Sequence, residues 1–207
     1  IAFLRKMPKN NKFGAMAKIR NGLLVELVWT TREIYLKEVK DVTKDWYIAG
    51  SDRLLPIIGR QFVERLNKHK VKNLRDECLK HGANQWYEVQ EATAKVLSAI
   101  AMKNRKGIAL LLFDMYLHML KVLSFLNQKP YITFSRFITQ ASKFKIKPKN
   151  FKKLTEIIVE GKYQNLTNLR RVIIIVFEAF EKIFELAGVD LYYDNIDPNK
   201  PMRDFAQ

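Results

Sequence analysis

Cysteine is nearly absent from this chain. Cys78 stands alone among 207 residues, which excludes an internal disulfide framework and fits a reducing, cytoplasmic compartment. Glycine (8) and proline (6) are too scarce for a collagen-like or linker-dominated architecture. No apolar run exceeds the six residues of 172–177, far below the roughly 20 apolar residues of a membrane span, so no membrane partner is expected. The opening Ile1-Ala2-Phe3-Leu4 is too short for a secretory leader, and Arg5-Lys6 follow it on the wrong side. The first residue is not Met, and the chain is expected to begin inside a longer product. Walker-type phosphate loops and nucleophile elbows are absent. So is any repeat of the length that builds solenoids.

What is present is positive charge on a globular background. Lys and Arg number 37 against 21 Asp and Glu, a formal charge of +16. With 48% hydrophobic and 12% aromatic residues, the chain is no disordered basic tail. An excess of this size makes polyanions the first partners to consider, nucleic acid or nucleotide phosphates.

The hydropathy pattern changes near residue 60. Before it, two β-leaning runs, 15–20 and 23–29, flank Asn21-Gly22, a strong hairpin signal. Further extended segments are expected at 34–39 and 46–49. After residue 60 the period is helical. Short helices are expected around 62–66 and over 71–80, the latter stopped at Gly82. Longer helices are expected at 88–102, 108–126 and 166–187. Thr133 is placed to cap a helix running to Phe144, and Pro148 to sit in the first turn of another that ends at Gly161. The expected fold is α+β and mostly α, a small antiparallel or mixed sheet followed by an antiparallel helical bundle. Its boundaries are a β-rich part over 1–60, the bundle over 61–190 and a tail over 191–207.

Several constellations carry chemistry. Asp114, His118 and Lys121 form one polar stripe on the otherwise apolar helix 108–126. Either the stripe faces a cleft, where His118 or Lys121 meets a phosphate, or it is the edge that a core helix shows to water. Residues 115–155 contain no acid at all. Besides Lys121 they hold Lys129, Arg136, Lys143, Lys145, Lys147, Lys149, Lys152 and Lys153, a one-signed block that attracts RNA or DNA. Tyr131, Phe134, Phe137, Phe144 and Phe151 are interleaved with these cations, at spacings that suit a core better than base stacking. Cys78, His81 and His69 make half a zinc site at best. Asp190, Asp194 and Asp197 lack the frame of a calcium loop, and Gly50-Ser51-Asp52 reads as a turn. Glu26 sits in mid-strand within Leu-Val-Glu-Leu-Val-Trp. There a carboxylate is costly unless its face is solvated or it binds a cation.

The order of these features resembles the nucleotidyltransferase superfamily of the polymerase-β type. Its aminoglycoside-nucleotidyltransferase-like and minimal nucleotidyltransferase members are the closest echo. Two passages carry the resemblance: Gly22-Leu-Leu-Val-Glu-Leu-Val-Trp-Thr30, and the helix that ends in Asn127-Gln-Lys-Pro-Tyr131, continued by Ser135-Arg-Phe and Pro148-Lys-Asn-Phe. The resemblance implies that a Gly-Ser loop holds nucleotide phosphates, and that an Asp-x-Asp pair with a third carboxylate holds Mg²⁺ for nucleotidyl transfer. Glu26 corresponds to that third, metal-binding and catalytic carboxylate; Asp114, His118 and Lys121 fall on the bundle side of a sheet–bundle cleft that takes a nucleoside triphosphate. Neither the loop nor the Asp-x-Asp pair stands before Glu26. The chain is accordingly expected to be the C-terminal portion of such a protein, or a degenerate relative. The alternative is a non-enzymatic basic helical protein that binds nucleic acid.

Overall fold

Asn21 and Gly22 both take positive φ, 49° and 74°, the backbone that a tight hairpin turn requires and that glycine adopts without strain. The computed structural model describes residues 2–4, 14–50 and 54–191. It divides into two compact units, Ile1–Lys72 and Asn73–Gln207. In the first, β1 (Ala2–Leu4) runs parallel to β3 (Leu23–Thr31), while β2 (Gly14–Arg20) pairs antiparallel to β3 from Gly14↔Trp29 to Arg20↔Leu23. The sheet order is β1-β3-β2. The hairpin lies where the sequence placed it, and the architecture is α+β and mostly helical.

The two further segments expected to be extended are helical instead. Helix α1 (Arg32–Tyr35) continues as a π-helical turn over Leu36–Lys40, and α2 spans Trp46–Ala49. Thr31 ends β3 and caps α1, its hydroxyl oxygen accepting from the Ile34 amide at 3.3 Å. The residues that reach the core are Tyr35 and Val39, four apart, which is a helical interval and not a strand's. They pack with Leu66 of α3 (Arg60–Asn67), and Leu36, Ala49, Leu54 and Phe62 close around them. Trp46 sinks to 4% exposure as its amide donates to the Thr43 carbonyl. In both segments packing overrides the strand preference of Ile, Val, Tyr and Trp. The Asn67 carboxamide holds the Leu54 backbone at both its N–H (3.2 Å) and its C=O (2.7 Å).

The second unit is a helical bundle. Its first helix, α4, runs unbroken over Leu74–Ala101, so the stop expected at Gly82 and the two separate helices around it do not occur. Gly82 is buried where α5 and α8 press on α4. A Cβ there would rest 3.4 Å from Phe125 Cβ and 3.5 Å from the Phe184 ring. That close packing offsets the roughly 1 kcal/mol helix penalty of glycine. A turn with Lys103 at positive φ leads to α5 (Arg105–Leu126), capped by Asn104, whose side chain accepts from the Gly107 amide. By length and composition α5 is apolar enough to cross a bilayer; here it serves as the bundle's central helix, with eleven of its 22 residues buried.

Asn127 ends α5 and organises the chain beyond it. Its amide nitrogen donates to the Leu123 and Ile146 carbonyls (2.9 and 2.8 Å), and its oxygen accepts from the Ile146 amide at 2.9 Å. Tyr131, fully buried, donates to the Leu120 carbonyl at 2.8 Å and stacks on Phe137 at 4.2 Å. The helix expected from Thr133 to Phe144 is shorter: a 3₁₀ turn over Phe134–Arg136, then α6 (Phe137–Ala141). Thr133 bonds the Ser135 hydroxyl instead of capping a backbone amide. Pro148 likewise precedes its helix: α7 spans Phe151–Val159, and the Pro148 carbonyl accepts the Phe151 amide. The last helix, α8 (Leu166–Leu186), brings Phe177, Phe180 and Phe184 around the Trp86 indole at 4.7, 5.4 and 5.9 Å.

Candidate active-site face of the helical unit

The polar stripe of α5 runs beside α4, and the face the two helices make together is open to solvent along much of its length. Asp114, His118 and Lys121 are all half-buried, and across from them α4 presents Gln85, Glu88, Glu91 and Lys95. The Gln85 amide donates to His118 Nδ1 at 2.8 Å in the tautomer protonated on Nε2, and that Nε2 lies 3.5 Å from Asp114 Oδ1. Burial holds the His118 pKa below its usual 6.5, with Lys121 adding to the effect and Asp114, Glu88 and Glu91 opposing it. His118 is therefore a neutral ring at pH 7, an acceptor for Gln85 and a donor toward Asp114.

One turn along, Lys95 Nζ meets Glu91 Oε1 at 2.7 Å. The hydrogen bond and charge of Lys95 hold the Glu91 carboxyl below the usual carboxylate range, and Glu91 raises Lys95 in return. Three carboxylates, two ammonium groups and a neutral imidazole thus share a face that is close to neutral in a strongly basic chain. The sequence located the α5 half of this face. It missed the α4 half, although the spacing of Gln85, Glu88, Glu91 and Lys95 keeps all four on one side of a helix.

The other singled-out residues divide sharply. Glu26 is exposed in mid-β3, in register with Ala17, and its sheet face otherwise carries Ala15, Ile19, Leu24 and Val28. Among the described residues, no group of three or more His, Cys, Asp or Glu side chains converges on a metal position. Cys78 is fully buried, its thiol pushed up to about 12 mainly by burial and secondarily by Glu77, so it is a poor ligand and nucleophile. His81 stacks on Phe125, and His69 lies 3.5 Å from Asp41. Asp190 is exposed; Asp194, Asp197, Ser51 and Asp52 lie outside the described residues.

The basic block is exposed at Lys129, Arg136, Lys143, Lys145, Lys147, Lys149, Lys152 and Lys153. Of its interleaved aromatics, Tyr131, Phe137, Phe144 and Phe151 are core, and Phe134 alone is open, at 55%. Lys147, Lys152 and Lys153 line a groove of about 790 Å³ that the sequence did not suggest.

Residues 60–188, more than half of the chain, match the family model of the KNTase C-terminal domain, the domain of kanamycin nucleotidyltransferase. No curated protein matches the chain.

Proposed function

Since the chain belongs to the KNTase C-terminal domain family, we propose that the α4–α5 polar face is where it takes part in nucleotidyl transfer from a nucleoside triphosphate to a hydroxyl-bearing acceptor. The observation that carries this reading is the gathering of Glu91, Lys95, Asp114, His118 and Lys121 along one face of the α4–α5 pair. In the proposed step the acceptor oxygen attacks the α-phosphorus, the bond to the pyrophosphate oxygen breaks, and pyrophosphate leaves with the electron pair. The acceptor proton goes to Glu91, a carboxylate that Lys95 holds in place at 2.7 Å. Lys95 and Lys121 offset negative charge on the phosphates. His118 holds Asp114 and Gln85 in place as an uncharged spacer, which keeps a further positive charge out of the face.

The resemblance implies Mg²⁺ held by three carboxylates, with Glu26 as one of them. The described residues do not by themselves compose such a site: Glu26 stands on a sheet face without a second carboxylate. The reading therefore rests on the helical face and not on a metal.

The test is nucleotidyl transfer by the full-length protein from α-labelled triphosphates, with kanamycin as the first acceptor offered. Glu91→Gln is expected to lower turnover by about 10²- to 10⁴-fold while nucleotide affinity changes little. Lys121→Ala is expected to weaken nucleotide binding. Full turnover in Glu91→Gln would remove Glu91 from the chemistry. Glu26→Ala leaving Mg²⁺-dependent nucleotide binding unchanged would remove Glu26 from the metal.

A further inference from the structure

The bundle carries a second feature on the opposite side of α5. Tyr116 is two residues from both Asp114 and His118, about 200° around the helix from each. It lies beneath a groove of about 790 Å³ formed with the segment before α7 and with α7 itself. The Tyr116 hydroxyl bonds Thr155 Oγ1 at 2.8 Å and its ring stacks on Phe151 at 5.6 Å, so the floor is fixed. The rim carries three lysines and one carboxylate, Glu156. Lys147 is anchored by donating to the Ser142 carbonyl at 2.6 Å. Lys152 has Glu156 at 3.8 Å, and Lys153 has no carboxylate partner among the described residues. Lys143, Lys145 and Lys149 continue the charge along the chain, exposed and likewise without carboxylate partners among the described residues.

We infer that this groove binds a single strand of nucleic acid, with backbone phosphates along Lys147, Lys152 and Lys153. The concavity is larger than a lone phosphate needs, and exposed cations continue on its N-terminal side at Lys143 and Lys145, which suits a chain of phosphates. Phe134, four residues before the groove-lining Ile138, offers an open ring on which a base stacks. Because the face proposed for nucleotidyl transfer lies around the other side of α5, strand binding stands or falls independently of that activity.

Fluorescence anisotropy with labelled oligo(dT) and oligo(U) strands tests the inference on the full-length protein. Three phosphate contacts predict that affinity weakens about 20-fold between ~50 and ~200 mM salt. Substituting Glu at Lys147, Lys152 and Lys153 together is expected to weaken low-salt binding by at least about tenfold. The same exchange at the exposed Lys68, Lys70 and Lys72 should change it by less than about threefold. Should the triple variant melt early, Lys153→Gln alone supplies the readout, as a salt slope shallower by about 0.7. Absent binding, equal loss in the two triple variants, an unchanged slope in Lys153→Gln, or equal displacement by polyglutamate would each overturn the inference.

Discussion

Strand β3 and helix α5 are both built mainly of apolar residues, and the fold treats them in opposite ways. In β3, Leu23, Leu24 and Val25 are 70%, 65% and 51% exposed, and burial begins only near Thr30 and Thr31. In α5, Met115, Met119, Val122 and Leu123 are completely enclosed. The difference lies in what each element has beside it. β1 reaches β3 only at Trp29–Thr31, and over Leu23–Val28 the strand pairs with β2 alone among the described residues, which offers its side chains cross-strand neighbours. A central helix has α4, α6 and α7 packed around it and closes a core. Apolar composition marks what can be buried; a second layer decides what is.

The contrast predicts where the molecule is fragile. Trp86→Ala removes the indole from three phenylalanine rings and should destabilise the helical unit by about 3–5 kcal/mol, read as a lowered thermal midpoint by circular dichroism. A loss below about 1 kcal/mol would mean that the bundle core collapses to refill the space. Gly82→Leu pushes a branched side chain against Phe125 and Phe184 and should cost about 1–3 kcal/mol. Gly82→Ala, whose methyl just fits, should leave stability level or gain up to about 1 kcal/mol.

His118 gives a smaller effect with a definite sign. Its pKa is lower folded than unfolded, so the unfolded chain binds the extra proton first as pH falls below 6.5. Stability is complete above that value and declines as pH drops from there through the lowered folded value. His118→Gln should flatten the melting midpoint across that interval, and an unflattened slope would assign it to other groups. The smallest change is expected at β3: Leu24→Thr should move the midpoint by no more than about 0.5 kcal/mol equivalent, against the kilocalories lost at Trp86. A large loss there would show that the exposed ribbon is packed on something in solution.

The sequence read most reliably where one residue type dictates one backbone. Asn21-Gly22 located the hairpin, and the family resemblance attached to Asn127 and Tyr131, whose side chains turn out to pin the chain after α5. Reading failed where tertiary contacts outvote local preference. Residues 34–39 carry strand-forming side chains, but the Thr31 cap and the burial of Tyr35 and Val39 make them helical. Gly82 looked like a stop because its neighbours, Phe125 and Phe184, are distant in sequence. The polar face was half legible for the same reason. Its α5 stripe stands out against apolar residues, whereas the α4 residues gain meaning only when that stripe is laid opposite. The groove was not legible, because Tyr116 and the lysines of its rim meet only through packing of Phe151.

The Asn127 side chain has one more consequence. By donating to and accepting from the Ile146 backbone, it acts as a one-residue strand edge, and it closes a loop over the 19 positions that separate the two residues. Closing a loop of that length costs chain entropy, and the paired hydrogen bonds to Ile146 help offset it, so the lysine-bearing stretch takes its shape by attachment to the end of α5. The Ile146 amide, in a stretch without helix or strand, should then exchange with solvent deuterium as slowly as the end of α5 to which it is tied.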